Sequence, residues 1–589
     1  MGSDLDGVTL WGLLEAAAAD APERPAVIAP DIDGYHITYA SLLERAGTAA
    51  AGLQRLGVVP GDRVALWAAN LHVWPIYFFA AVRVGAVVVP ILPGASREMV
   101  EHVLRHSESS TLVMGPGKRG ERIRLAVDII PALRTADPKA LWDPAFPKLS
   151  RVIMHTDETP PGAFPASTLA EHAEDEESEP SRGPLRAGLE ALAALGGGGG
   201  AGGGGGSGSA GRAGGAGGAT GAGAGDPDAT LALLYTAGTT GGPPLGAAVS
   251  HRALVAAGAE TAARLGLGPD DELLLAVPFA HYDGLTLGVA ATMAARAAAL
   301  PVFDPDAHRV LLDIADSAPT VLAVTPRLMG AVLRAPELAA AKHDTVRTIV
   351  LCANPAPAGV PEQTAAAFPQ AAVVQAYGLA EAGGLVAMGR RDDPPEQRIG
   401  RLGALYPHVE GRVVDPDSGA EVGAGDIGEL RLRGPVMARE YWRNRAATAA
   451  ALDPEGWFRT GDLVTRDGSG TLRLVGRLTH RVATPAGPVD PREVESWLAT
   501  IDPAVLEAWV VDVPDPAAPE GAPLLVAVLR LAPGARLAAA GVLARAAEVL
   551  PAHKRPARVF FVEAIPTGPT GAVLRHRLRE QVAPLLSTP

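Results

Sequence analysis

Leu233-Leu234-Tyr235-Thr236-Ala237-Gly238-Thr239-Thr240-Gly241-Gly242-Pro243-Pro244-Leu245-Gly246 carries the chain from an apolar run into a loop of glycine and threonine. The run reads as the end of a buried strand. The glycines after it let the backbone approach an anion closely, successive amides there form a nest for a phosphate, and Thr239 and Thr240 add hydroxyl donors. Upstream, Val64-Ala65-Leu66-Trp67 reads as a short buried strand and Trp74 to Val84 as a helix ended by Gly85. Val87-Val88-Val89-Pro90 reads as the next strand. Downstream, Val321-Leu322-Ala323-Val324, Thr348-Ile349-Val350-Leu351 and Ala372-Val373-Val374 are further short strands. Such alternation predicts an α/β fold with parallel strands.

Near residue 410 the pattern changes. Gly411-Arg412-Val413-Val414, Gly428-Glu429-Leu430-Arg431-Leu432-Arg433 and Leu472-Arg473-Leu474 alternate with the period of two expected of half-exposed strands. Residues 478–589 mix strands with two helices, over 492–500 and 537–550, and read as a small separate α+β domain. Between the two halves of the α/β region, residues 157–182 are acidic and proline-rich, and 196–225 are almost entirely Gly, Ala and Ser. Such a stretch buries too little side chain to offset its ordering entropy and reads as a flexible insertion.

Composition narrows the function. The 589 residues suffice for several domains, and 48% are apolar. A net charge of −14 repels phosphate backbones, so no nucleic-acid partner is expected. The one cysteine, Cys352, excludes an intrachain disulfide and fits a reducing compartment. The first nineteen residues carry Asp4 and Asp6 where a secretory leader would be basic. The longest apolar run, 76–92, is interrupted by Arg83, Gly85 and Pro90, and reads as a core helix turning into a strand rather than a membrane span. A cytoplasmic location is the expectation.

The glycine–threonine loop resembles the phosphate loop of the adenylate-forming enzymes, Y-T-S-G-T-T-G-x-P-K-G, the superfamily of acyl-CoA synthetases. Other stretches are similar to the same family: Ile37-Thr38-Tyr39 with Leu42-Leu43; Pro278-Phe279-Ala280-His281-Tyr282-Asp283-Gly284-Leu285; Ala376-Tyr377-Gly378-Leu379-Ala380-Glu381; Trp457-Phe458-Arg459-Thr460-Gly461-Asp462-Leu463; Gly476-Arg477; and Pro566-Thr567-Gly568-Pro569-Thr570-Gly571-Ala572. Cys352-Ala353-Asn354-Pro355 resembles the strand end beside adenine less closely. The resemblance spans nearly the whole chain. It implies a large N-terminal AMP-binding region, about 1–476 with the insertion at 157–226, and a C-terminal lid, 477–589. It implies ATP and Mg2+, a fatty or aryl carboxylic acid, and CoA or a carrier-protein phosphopantetheine as thiol acceptor. The nucleotide would meet Thr236, Gly238, Thr239, Thr240, Gly241, Asn354, Tyr377, Gly378, Asp462 and Arg477. His281 would stand beside the acid's carboxylate, and Glu381 would act at the reacting centre and reach Mg2+. Amino-acid-activating members carry an Asp near the His281 motif, and Asp283 is two residues late for that match.

Departures from the family pattern concentrate where charge develops. Ala237 replaces a serine, Pro-Pro-Leu occupies the loop lysine's span, and Ala380 replaces the phosphate-facing threonine. Thr479-His480 replaces the Asp-Asp hinge, and Ala572 replaces the lysine that bridges the attacking carboxylate and the α-phosphate. Removing one electrostatic donor of this kind typically lowers the rate by about 10²–10³. Three readings follow: an acid–thiol ligase; a degenerate homologue that binds nucleotide or acyl ligand, or keeps only thioester formation; and a scaffold that retains the fold.

Overall fold

The computed structural model describes residues 7–30, 32, 34–156, 158–170, 225–236, 242–484, 486–515, 517 and 523–587. The chain divides into two compact units, one of residues 1–235, 246–263 and 267–304, the other of 236–245, 264–266 and 305–589. The expected lid boundary at 476–477 falls inside the second unit.

In the first unit, the strands Phe164–Pro165, Arg151–Met154, Thr111–Met114, Arg63–Trp67, Val87–Ile91 and Thr230–Tyr235 lie side by side in that order, all parallel. Gly246–Ser250 closes the edge antiparallel to Thr230–Tyr235. Thr111–Met114 is buried at all four positions, as expected of a parallel strand covered on both faces. The helix Trp74–Val84 carries Pro75 in its first turn and ends on Gly85 at φ 79°, the left-handed conformation that glycine adopts without strain. Every residue of it but Arg83 is buried, and Arg83 stacks 4.9 Å over the Trp11 ring. The run 76–92 is therefore a core helix followed by a strand. Among the described residues, no helix is long and apolar enough to cross a membrane. A second parallel set, Glu272–Ala276, Ala298–Pro301 and Pro25–Ile28, ends on the antiparallel His36–Thr38.

Part of the expected insertion belongs to this core. Phe164 pairs with Ile153 in the sheet, and Leu169 is 2% exposed and packs its backbone against Gly52, where an added Cβ would stand 2.5 Å from the Leu169 carbonyl oxygen. The acidic composition of the stretch masks these two apolar anchors. Residues 171–224 lie outside the described residues.

The second unit continues the βα pattern. Val321–Val324, Thr348–Leu351 and Ala372–Leu379 are parallel, and Gly384–Met388 and Ala404–Leu405 follow antiparallel. An antiparallel meander comes next: Glu410–Val414, Gly428–Arg433, Phe458–Arg466, Leu472–Arg477. The half-exposed reading of these strands fails at Gly428–Arg433, whose first five residues are buried. The alternation is real, but its polar positions turn inward and neutralise each other: Glu429 and Arg431 are 4% and 6% exposed and pair at 3.0 Å. Buried charges are tolerable when so paired.

Residues 491–582 form a three-stranded sheet with helices on both faces. Val505–Val513 pairs antiparallel with Leu524–Leu531, which pairs parallel with Arg558–Phe561. Val510, Ala527 and Leu529 face the helices Pro491–Leu498 and Ala539–Val549, whereas Val511, Val526 and Val528 face Arg575–Val582. This period-two division gives the segment two apolar cores of its own.

Candidate nucleotide site

Three of the expected nucleotide residues meet in the second unit. Tyr377 lies near the end of the strand Ala372–Leu379, and Asp462 and Arg477 are directly opposed across two antiparallel strands. The Tyr377 hydroxyl donates to Asp462 Oδ2 at 2.8 Å, and Arg477 Nε stands 3.5 Å from Oδ1. Gly461, at φ 70°, turns the chain just before Asp462. Thr460 fixes that turn: its hydroxyl donates to the Leu430 carbonyl at 2.6 Å and accepts the Asp462 N–H at 3.0 Å. Burial raises the Asp462 carboxyl above the ordinary range, and Arg477 and the Tyr377 hydroxyl oppose that shift. Burial first, and then the Asp462 charge, push the Tyr377 phenol well above its usual value, so it remains a donor. An ionised carboxylate has about four lone-pair sites. Two are engaged here, so a vicinal diol, as in ribose, fits the remainder.

Glu381 sits in the 3-10 turn Ala380–Ala382. Its Oε1 accepts from the Tyr441 hydroxyl at 2.5 Å, and its carbonyl accepts from the Ala438 N–H at 2.6 Å. Burial and the Glu381 charge raise the Tyr441 phenol. A shallow recess opens here, with Glu381, Arg439, Tyr441 and Thr448 on its wall. Among the described residues no three acidic, histidine or cysteine side chains gather to hold a metal. A lone carboxylate still suits Mg2+, which usually takes one or two protein carboxylates and fills its remaining positions with phosphate oxygens and water. Gly378 has a packing role of its own: an added Cβ would stand 2.5 Å from the Gly384 carbonyl oxygen.

Asn354 follows Ala353, whose φ of 69° is uncommon for a residue with a Cβ. The Asn354 amide donates to the Thr570 carbonyl at 2.7 Å. The turn bearing Thr570, Gly571 and Ala572, closed by Gly568 N–H to the Ala572 carbonyl at 2.8 Å, therefore docks on a residue expected beside adenine. Residue 572, an alanine, brings an uncharged methyl group there. Arg492 donates to the Ala356 carbonyl at 3.2 Å, close by. At the expected hinge, Leu478–His480 makes a 3-10 turn. The His480 ring is pushed down to about 3 by burial and by Arg575, Arg477, Arg492 and Arg579.

The remaining expected residues lie apart or outside. The Thr236 hydroxyl accepts the Leu245 N–H at 3.0 Å, at the neck of the expected phosphate loop. Gly238, Thr239, Thr240 and Gly241 are not among the described residues. His281 belongs to the first unit, where its Nδ1 stands 2.9 Å from Asp283 Oδ2. Two contacts escaped the sequence reading. Tyr441 lies sixty residues from the Glu381 it binds, and Asp283, a near miss for a ligand contact in the sequence, stands against the His281 ring. No periodicity signals either pairing.

The sequence model of the AMP-binding enzyme family matches residues 14–442, and that of the AMP-binding enzyme C-terminal domain matches 493–572. The YngI protein of Bacillus subtilis (strain 168), named as an acyl-CoA synthetase, is 29% identical over 577 residues, covering 97% of each chain. The mitochondrial medium-chain acyl-CoA ligase ACSF2 of Danio rerio is 26% identical over 581 residues, covering 98% of this chain and 89% of its own. The crystal structure of ATP-bound MatB from Rhodopseudomonas palustris superposes with a TM-score of 0.75 at 25% identity, covering 98% of this chain and all of that one.

Proposed function

The chain belongs to the AMP-binding enzyme family, within the adenylate-forming superfamily of acyl-CoA synthetases and ligases, and on that premise we propose that it joins a carboxylic acid to a thiol through an acyl-adenylate. The carboxylate oxygen attacks the α-phosphorus of ATP and pyrophosphate leaves. The thiol sulfur then attacks the acyl carbon, AMP leaves and the thiol proton is released. The observation that carries this reading is the Tyr377–Asp462–Arg477 cluster, a buried carboxylate held between a phenol and a guanidinium with capacity left for two hydroxyl donors. Arg477 balances the Asp462 charge, and Thr460 fixes the backbone that aims it. Glu381, oriented by Tyr441, is the residue that would hold Mg2+, which supplies charge neutralisation at the phosphates.

A fatty or aryl acid is the proposed substrate class. Asp283 is 1% exposed, which closes it off from a substrate ammonium. The curated relatives named as acyl-CoA synthetase and medium-chain acyl-CoA ligase support the same class. CoA or a carrier-protein phosphopantetheine is the proposed acceptor.

Ala572 favours a second reading, in which adenylation is slow and thioester formation from a supplied acyl-adenylate is retained. Two anions must meet in the first step, and the turn docked at Asn354 brings no cation to them. Calorimetric titration with Mg·ATP and with AMP tests both readings without a guess about the acid. Binding of both, followed by acid-dependent pyrophosphate release, supports the ligase. Binding of AMP alone, with thioester made from supplied acyl-adenylate, supports the second reading. Binding of neither overturns both.

A further inference from the structure

The strand Val505–Val513 lies at the edge of its three-stranded sheet, with Leu524–Leu531 on one side and no strand on the other. Backbone groups on such an open edge need other partners. Side chains supply them here. The Val510 N–H donates to Glu495 Oε1 at 2.9 Å, and the Val510 carbonyl accepts from Arg575 Nη1 at 2.6 Å. Two residues on, the Asp512 carbonyl accepts from Arg579 Nε at 2.8 Å. Two residues of strand span about 6.6 Å and four residues of helix about 6 Å. The spacing of Arg575 and Arg579 on the helix Arg575–Val582 therefore matches that of the two carbonyls, and the arginines take the place of a further strand.

This arrangement leaves both guanidinium groups with donors to spare. An arginine carries five N–H groups. Among the described residues, the polar partners of Arg575 are the Val510 carbonyl and Glu495, whose Oε1 stands 2.7 Å from Nη2. Those of Arg579 are the carbonyl and Oδ1 of Asp512. The two nearby carboxylates are thus already engaged. A cavity of about 300 Å³ opens beside them, with Thr479, His480, Asp512, Arg575, His576 and Arg579 on its wall. That size is at the lower end for small-molecule sites, which run from about 300 to 1,000 Å³. Three elements build the wall: the turn Leu478–His480, the strand Val505–Val513 and the helix Arg575–Val582. Arg575 is 8% exposed and lies 5.4 Å over the Trp509 ring, so its charge is held in place. The buried Nδ1 of His576 has no hydrogen-bond partner. The field at the turn is positive: after burial, Arg575, Arg477, Arg492 and Arg579 hold the His480 ring down at about 3. Cations gathered around a partly enclosed space favour an anion within it.

We infer that this cavity is an oxyanion site which takes a phosphate group, met by the spare N–H donors of Arg575 and Arg579 and by Thr479, His480 and His576. Guanidinium groups suit this ligand, because their planar forks match the oxygens of phosphate. A tetrahedral oxyanion offers oxygens in several directions and so uses donors from all three walls, whereas a carboxylate offers two in one plane. The cavity is large enough for a small phosphorylated molecule as well as for the free ion. It shares no wall residue with the Tyr377–Asp462–Arg477 cluster, and the inference stands whether or not the chain acts as a ligase.

Spectra of histidine-labelled full-length protein test this without any need for turnover. The ring signals of His480 and His576 are identified by their loss in His480→Gln and His576→Gln. Inorganic phosphate and pyrophosphate are titrated in separate arms, each with AMP in excess to occupy the proposed nucleotide site and with chloride at equal ionic strength as the control. The expected result is a saturable shift of both rings by phosphate and none by chloride. Arg579→Gln should weaken the binding read from those shifts roughly ten- to hundredfold, the effect of losing hydrogen bonds to a charged group. AMP affinity should stay unchanged in that variant. Tighter binding of pyrophosphate would assign a diphosphate ligand and equal binding a single phosphoryl group, and either upholds the site. Rings that phosphate does not shift, an equal shift by chloride, or phosphate binding that AMP displaces or that Arg579→Gln leaves unaltered overturns the inference. If the variant fails to fold, the wild-type titrations still decide.

Discussion

At the residue scale, Asp462 is the group on which the proposed nucleotide recognition turns. Asp462→Asn keeps the shape but removes the charge that Arg477 and the ligand hydroxyls meet. AMP affinity, read by calorimetry, should fall roughly tenfold or more, the size of effect expected for hydrogen bonds to a charged group. An unchanged Kd would remove Asp462 from the site. Residue 572 makes the converse prediction. Ala572→Lys restores a cation to the turn docked at Asn354 and should raise acid-dependent pyrophosphate release by about 10²–10³ if the rest of the centre is competent. No gain would place the defect in the phosphate loop and at Ala380. The motifs mark Asp462, Arg477, Tyr377 and Glu381 as candidates in the sequence, because each stands in a short stretch whose spacing is itself distinctive. They did not reveal what each side chain touches. Tyr441 on Glu381, Tyr377 on Asp462 and Asp283 on His281 are contacts of geometry.

At the scale of elements, local chemistry set most boundaries. The helix Trp74–Val84 and the strands Val321–Val324, Thr348–Leu351 and Gly428–Arg433 fall where apolar period and glycine punctuation put them. What the pattern could not supply was the environment of each face. Gly428–Arg433 alternates like a surface strand yet is buried, because Glu429 and Arg431 neutralise each other. Residues 164–169 read as insertion yet join the core through Phe164 and Leu169. The junction of the strand Leu472–Arg477 with the helix Pro491–Leu498 is tighter still. A Cβ on Gly476 would stand 1.4 Å from Asp490 Oδ2, and Asp490 caps that helix through the Arg492 N–H at 2.9 Å. Gly476→Ala must displace the cap and should destabilise the protein by about 1–3 kcal/mol, the usual range for overpacking. A thermal scan reads this as a lowered Tm, and an unchanged Tm would refute the close packing.

At the scale of the whole molecule, the buried His155 and His251 and the half-buried His480 make stability depend on pH. Burial pushes His155 and His251 down to about 4, and burial with four arginines pushes His480 down to about 3. Each is neutral in the folded chain and protonates near 6.5 once unfolded. Their contribution is fully present above pH 6.5 and is lost as pH falls toward 3–4. Asp462 has the opposite sign: its raised carboxyl contributes stability at low pH that is lost as pH rises through the raised value. His480→Gln should therefore flatten the decline of Tm between pH 6.5 and about 3. A decline as steep as in the wild type would show that the ring does not titrate against the arginines. By itself the sequence determined the α/β class, the order of the strands along the chain and the family. These are local properties, carried by period, punctuation and short motifs. Only the tertiary structure decided which charges face each other. A hydrogen bond between residues 85 apart, as from Tyr377 to Asp462, depends on where the fold returns the chain, and no local pattern encodes that return.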